Sequence, residues 1–253
     1  MPETGGKKPA ARKQYNDIAV MYDILAEGDD GMLWFRHNIE GILEKLPDGA
    51  KILDCSCGTG NHAIWLAKQD YEVHASDISE GMIETARKKA ERAGVQITFF
   101  QSSWTELLEK SDERFDLVII PGNSLSHLEN LSMADDVFNT INKVLRPGGV
   151  LFFDIRNWEK TYEENSLETQ EFSVSATDGN FEVIYSYEMP SWNETGKMHV
   201  DIRPEGTTEY ERYSFDFLPV SYHQLRDAAI KAGFKKVERG YFPGKDYYYL
   251  IIS

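Results

Sequence analysis

Between residues 51 and 155 short apolar runs alternate with amphipathic segments, and this alternation constrains the chain more than any other feature. Residues 51–55, 72–77, 96–101, 115–120 and 149–155 read as strands, while 60–69, 79–93, 105–110 and 133–144 carry apolar residues at helical spacing. A parallel strand can be reached only by a crossover, and a helix in the crossover packs back on the sheet. The series therefore predicts an α/β fold of Rossmann-like type, a parallel sheet with helices on both faces. Beyond Trp158 the period changes to two, with residues 171–176, 181–189, 197–202 and 207–217 alternating apolar and polar around turns at Asp178-Gly179 and residues 193–196. This predicts an antiparallel excursion. Ser221 is placed to cap a helix reaching Ala232, and residues 234–241 and 247–252 form a last hairpin across Pro243-Gly244. The chain thus divides into a tail (1–14), N-terminal helices at 15–22 and 31–46, a core (47–157 and 221–253) and an excursion (158–220).

At 253 residues the chain has room for one core and an excursion rather than several modules. No apolar run approaches the roughly 18 residues of a membrane span, and residues 1–11 lack the apolar centre of a secretory signal, so the expected location is cytoplasmic with no membrane partner. Lys and Arg number 27 against 42 Asp and Glu, a net charge of −15. That sign repels phosphate backbones and argues against nucleic acid as a partner. It fits a plain solubility device or a protein dissolved in concentrated salt. Cys55 and Cys57, one residue apart, are too close for an ordinary bridge and too few for a zinc site, so reduced thiols and no metal are expected.

In an open parallel sheet the ligand sits where the strands end, at the switch in strand order. The first strand exits into Asp54-Cys55-Ser56-Cys57-Gly58-Thr59-Gly60, and Asp77 ends the second. Gly58 to Ala63 satisfies a GxGxxA pattern, with the acid about where a ribose-binding carboxylate belongs. Taken alone this indicates an adenine nucleoside and leaves a dehydrogenase and an S-adenosylmethionine enzyme both open. The third strand leads into Ser103 and Trp104, a polar group and an aromatic face suited to adenine. The fourth exits at Pro121-Gly122-Asn123-Ser124-Leu125-Ser126-His127-Leu128.

DCSCGTG, the acid in ASDIS, SSW, GNSLSHL and LRPGG, in this order and spacing, resemble the motifs of class I S-adenosylmethionine-dependent methyltransferases. The resemblance spans residues 50–155, and the closing hairpin resembles the antiparallel seventh strand of that fold. GNSLSHL together with Asp154-Ile155-Arg156-Asn157-Trp158 is similar, more narrowly, to the glycine and sarcosine N-methyltransferases. The resemblance implies that Asp77 holds the ribose hydroxyls, that Ser103 and Trp104 flank the adenine, and that Ser56, Gly58, Pro121 and His127 line the methionine moiety. It also assigns Met82 to the cofactor side and implies that Tyr22, Trp34 and Arg36 belong to a lid over the cofactor. Asn123 and Arg156 would meet a small amino-acid substrate, Arg156 by gripping its carboxylate. The first loop departs from the common form in carrying Ser56 where glycine is usual, a departure the narrower family shares.

Methyl transfer from a sulfonium to an amine is an in-line displacement that needs positioning more than acid or base, and a guanidinium fork suits a carboxylate. Tyr22, Tyr185, Tyr187, Tyr210, Tyr213 and Tyr241 are candidate ring faces or hydroxyls for the substrate. The expected function is N-methylation of glycine, sarcosine or dimethylglycine, leading towards glycine betaine, a compatible solute. The alternatives are a methyltransferase for another small acceptor, such as a phenol or phosphoethanolamine, and a catalytically silent cofactor-binding module.

Overall fold

The computed structural model describes residue 22 and residues 31–164, 169–176, 179–189, 191–241 and 247–253. The elements in chain order are α1 (Gly31–Leu43), β1 (Lys51–Asp54), α2 (Asn61–Ala67), β2 (Glu72–Asp77), α3 (Glu80–Ala93), β3 (Thr98–Gln101), α4 (Leu107–Lys110), β4 (Phe115–Ile120), α5 (Met133–Val144) and β5 (Leu145–Arg156). They continue with α6 (Trp158–Glu164), β6 (Gln170–Ala176), β7 (Gly179–Glu188), β8 (Gly196–Pro204), β9 (Glu211–Phe217), α7 (Tyr222–Lys231), β10 (Val237–Tyr241) and β11 (Tyr247–Ile252). Single 3₁₀ turns occupy Trp104–Glu106 and Ser124–His127. The predicted tail, the first predicted helix apart from Tyr22, and the turn residues Asp178 and Pro243-Gly244 lie outside the described residues.

The alternating segment forms a seven-stranded sheet in the order β10-β11-β5-β4-β1-β2-β3. Strands β1 to β5 are parallel, and β11 runs antiparallel to both β5 and β10. The excursion is a separate sheet of four antiparallel strands in sequential order, β6-β7-β8-β9. The α/β fold expected from the sequence is the fold observed.

Local signals set many of the boundaries. Ser79 caps α3 by accepting from the Met82 N–H, and Gly94 ends it in the left-handed region. Ser221 and Gln224 form a reciprocal capping box at the start of α7. Three differences from expectation have local causes. Helix α6 occupies the start of the excursion, anchored by buried Trp158 and Thr161 on one face. The expected strand at 207–217 begins only at Glu211, because Thr207 donates to the Pro204 carbonyl across a turn at Gly206 (φ +81°). Strand β5 reaches back over the Arg146–Gly149 turn to pair Leu145 with Phe115, with a register shift before Leu117.

Strand parity divides the sheet's side chains between two cores. On β5, Leu151, Phe153 and Ile155 join the layer under α5 and α7, and Phe152 joins the layer under α1 to α3. Helix α1 belongs to the second layer through Phe35, Ile39 and Ile42, so it is a packed part of the sheet's cover rather than a segment apart from it. Each such fully buried side chain contributes about 1.5–3 kcal/mol. Cys55 lies in the first core and Cys57 in the second, which keeps the two buried thiols on opposite sides of the sheet. Burial pushes both thiols well above their ordinary range, as befits inert core residues. The inner face of the excursion, with Val183, Val200, Ile202 and Phe215, packs on Met82 at the start of α3. Its outer face carries the ion pairs Glu182–Arg203, Asp201–Arg212 and Asp216–Lys197.

The turn into α2 depends on glycine. Gly60 sits at φ +88°, and a Cβ there would lie 3.0 Å from the Cβ of Ala86. Gly60→Ala should lower stability by about 1–3 kcal/mol in chemical unfolding, reading the combined backbone and contact cost; an unchanged midpoint would show that the loop relaxes freely.

Candidate active site

The chain runs β1-β2-β3 in one direction across the sheet and then returns to place β4 and β5 on the other side of β1. The switch leaves a crevice at the carboxyl ends of β1 and β4, and the candidate residues leave the sheet there.

Asp77, at the end of β2, accepts from the Gly58 N–H at 2.9 Å on one carboxylate oxygen and from the Ser79 N–H at 2.9 Å on the other. It therefore ties the β1 exit loop to the cap of α3. Burial pushes its carboxyl up, opposed by the bonds from Ser79 and Gly58. Gly58 has φ +51°, and a Cβ there would come 3.5 Å from the ring of Tyr22, so the loop and Tyr22 approach closely. Gln101 donates to the Ile78 carbonyl at 2.8 Å, joining the β2 and β3 exits. Ser103 spends its N–H and hydroxyl on the Glu106 carboxylate, and Trp104 packs partly buried against the first core. Met82 is buried at the start of α3, its N–H held by Ser79.

Asp54 is fully buried at the end of β1, and one of its carboxylate oxygens has no hydrogen-bond partner among the described residues; neither has the buried Ser56 hydroxyl. Desolvation drives the Asp54 carboxyl up to about 8, with the Ser56 N–H opposing and the charge of Asp77 adding. Two orphaned polar atoms on a glycine-bearing loop fit a ligand that carries an ammonium donor and lies against the backbone, as the methionine end of S-adenosylmethionine does.

A second buried carboxylate organises the other half. Asp154 on β5 accepts from the Gly122 N–H at 3.0 Å and the Asn123 N–H at 2.8 Å. Asn123 stands in the left-handed region (φ 60°), and its side-chain carbonyl accepts from the Arg156 N–H at 2.9 Å and the Ser126 hydroxyl at 2.7 Å. Asn123 and Arg156 are thus brought together, with the amide oxygen of Asn123 committed to the backbone and to Ser126. The Ser124 hydroxyl donates to the Pro121 carbonyl at 2.6 Å. The Nδ1 of His127 lies 2.7 Å from the Asp216 carbonyl, which acts as acceptor and sets the tautomer; burial lowers its basicity.

The Arg156 guanidinium lies over the rings of Tyr247, Trp158 and Tyr187 at 5.0, 5.6 and 5.7 Å, and donates to the Tyr247 hydroxyl at 3.2 Å. The sequence motif contains Trp158 without giving it a role, and nothing in the sequence marks Tyr247. Tyr247 is the direct cross-strand partner of Arg156, a pairing only the β11 register supplies. Tyr241 pairs with Tyr248, whose ring is buried in the opposite core, so Tyr241 shares that face with Arg239 and stands 54% exposed. Tyr210 turns to Glu182 and Arg203 on the excursion's outer side. Tyr185 and Tyr213 lie on the inner face, both paired with Val200, in the cluster that contains Met82 and Tyr22. Arg36 stacks on Trp65 of α2 at 5.4 Å, and Trp34 accepts from Asn38 through its carbonyl. Among the described residues no His/Cys/Asp/Glu group could hold a metal, and no helix is long and apolar enough to cross a membrane.

The Methyltransferase domain family matches residues 52–149. A Geobacillus sp. (strain WCH70) protein named as a methyltransferase is 34% identical over 173 residues, covering 68% of each chain. The glycine/sarcosine N-methyltransferase of Parasynechococcus marenigrum (strain WH8102) is 28% identical over 194 residues, 74% of this chain and 63% of that protein. Among solved structures, a S-adenosylmethionine-dependent methyltransferase from Clostridium acetobutylicum ATCC 824 superposes with TM-score 0.74 at 18% identity, over 94% of this chain and 98% of that one. The chain belongs to the class I S-adenosylmethionine-dependent methyltransferases.

Two tests follow from the paired carboxylates. Above pH about 4 an unfolded Asp54 is ionised, whereas the folded one keeps its proton up to about 8. The folded state then holds the extra proton, and the stability this group contributes falls as pH rises through that window, by about 1.4 kcal/mol per pH unit at most. Asp54→Asn should flatten the slope between pH 5.5 and 7 in urea unfolding; an unaltered slope would clear Asp54. Asp77→Ala should weaken S-adenosylhomocysteine at least about tenfold by calorimetry and also lower Tm, since two N–H groups lose their acceptor; undiminished affinity would remove Asp77 from the ribose.

Proposed function

We propose that the protein N-methylates a small amino acid, glycine or sarcosine first and dimethylglycine in sequence, with Arg156 holding the substrate carboxylate. The observation that carries this reading is the boxed guanidinium at the carboxyl edge. The rings of Tyr247, Trp158 and Tyr187 surround it and its edge donates to the Tyr247 hydroxyl, which supports a planar acceptor such as a carboxylate meeting that edge with two parallel hydrogen bonds. The similarity to a named glycine/sarcosine N-methyltransferase supports the same substrate class.

Bound S-adenosylmethionine supplies an electrophilic methyl on a sulfonium that leaves as a neutral thioether. Asp77 would hold the ribose, Ser103, Trp104 and Met82 the adenine side, and Asp54, Ser56, Gly58, Pro121 and His127 the methionine end. Arg156, steadied at its N–H by Asn123, would aim the neutral amine, and Tyr22, Tyr185 and Tyr213 would wall off water from the crevice. Trp34 and Arg36 would act on the lid side. Successive methylation yields glycine betaine, and a net charge of −15 suits a protein that works while an osmolyte is accumulated.

Arg156→Lys keeps the charge and loses the fork. With glycine and sarcosine as acceptors, kcat/KM should fall about a hundredfold, equivalent to about 2.7 kcal/mol, while S-adenosylhomocysteine affinity stays within a few fold. Near-normal kinetics with both acceptors would overturn the clamp, and a joint loss of Tm and cofactor affinity would make Arg156 a structural residue.

A further inference from the structure

Ser126 lies in the fourth-strand exit motif, is fully buried, and has no role in the reading above. Its hydroxyl donates to the Asn123 side-chain carbonyl at 2.7 Å and accepts the indole N–H of Trp158 at 2.9 Å. Its own carbonyl accepts the Leu218 N–H, just past the end of β9. One residue thus touches the β4 exit, the start of α6 and the end of the excursion sheet. What it holds on either side converges on Arg156. Asn123 fixes the Arg156 N–H, and the Trp158 ring lies under the guanidinium at 5.6 Å. Trp158 also stacks on Phe217 of β9 with centroids 4.7 Å apart and planes at 5°, and Phe217 meets Tyr187 edge-on at 6.2 Å. Tyr187 is another of the rings around the same guanidinium.

We infer that Ser126 and Trp158 form a positioning pair that sets both the backbone and the ring floor of the substrate arginine, locking the excursion sheet to the carboxylate subsite. This rests on the amino-acid reading of that subsite. The physical reason is geometric. A guanidinium on a long side chain selects a bidentate carboxylate only if its plane is held, and a ring slides on its neighbour unless something pins its edge. The indole N–H bonded to Ser126 is that pin. A phenyl ring at 158 would keep the stack on Phe217 and lose the pin.

Calorimetric titration of glycine and sarcosine into the full-length protein saturated with S-adenosylhomocysteine tests this, alongside acceptor kinetics, Tm and S-adenosylhomocysteine affinity. Ser126→Ala is expected to weaken both amino acids about tenfold or more, raising KM more than it lowers kcat, with S-adenosylhomocysteine affinity within about twofold. Trp158→Phe should weaken them several-fold. The double variant should lose less than the sum of the two, because removing both partners leaves no buried donor unsatisfied. Unchanged amino-acid affinity in both single variants, strictly additive losses, or a parallel fall in Tm, cofactor-product affinity and amino-acid affinity would each overturn the positioning pair while leaving the amino-acid reading in place. If the unaltered protein binds neither glycine nor sarcosine, the reading itself fails and the inference falls with it.

Discussion

Parallel strands that end in loops leave backbone N–H groups without ladder partners at the sheet edge, and here two carboxylates take up four of them. Asp77 holds the N–H groups of Gly58 and Ser79, and Asp154 those of Gly122 and Asn123. Each clamp joins the exit of one strand to the exit of its neighbour in the crevice. The charged acceptors make these bonds stronger than neutral ones, and partial burial removes the competition from water. The β1 exit loop hangs on the first clamp, and the turn bearing Asn123, Ser126 and His127 hangs on the second.

The acidic character of the whole chain sharpens the contrast with what happens at one point in that crevice. Asp54 sits fully buried beside Asp77, and desolvation raises its carboxyl far above the ordinary carboxylate range. An orphaned oxygen and a raised carboxyl are costs to the folded state, and both are relieved by a cationic donor placed against the loop. At the β5 exit the charge reverses. The guanidinium of Arg156 lies among three rings and donates to the hydroxyl of one of them, Tyr247. The two halves of the crevice therefore differ in charge, a buried carboxyl at the β1 exit against a guanidinium among rings at the β5 exit.

The antiparallel excursion completes this arrangement through its parity. Its outer face is a lattice of cross-strand ion pairs, and its inner face presents Tyr185, Tyr187, Tyr213 and Phe215 towards the core's carboxyl edge. The Leu218 N–H and the Asp216 carbonyl bond to Ser126 and His127, so the excursion is stitched to the turn that also reaches Arg156. The fixed spacing along that stitch is what a flexible loop in the same place would lack.

Periodicity, glycine positions and caps are local properties, and they made most of the scaffold legible from the sequence alone: the parallel sheet, the crevice side, the change to period two beyond Trp158, Ser79 and Ser221 as caps, and Asp77, Asn123 and Arg156 at strand exits. What the tertiary structure decided is which side chains face which way once distant strands pair. Tyr241 and Tyr247 both flank the closing hairpin, but the β11 register sets Tyr247 opposite Arg156 and Tyr241 opposite buried Tyr248. A one-residue shift of β11 against β5 would take Tyr247 off Arg156 and turn the buried Tyr248 to the other face, and nothing in either strand's own sequence states the register. Trp158 reads equally well as a core residue or a surface one until Phe217, 59 positions on, supplies the ring it stacks against. The amide oxygen of Asn123 shows no partner in the sequence, and only the fold gives it the Ser126 hydroxyl and the Arg156 backbone. Local chemistry marked the sheet edge where the candidate site lies, and long-range pairing determined which groups meet there, because burial and register depend on partners far away in the chain.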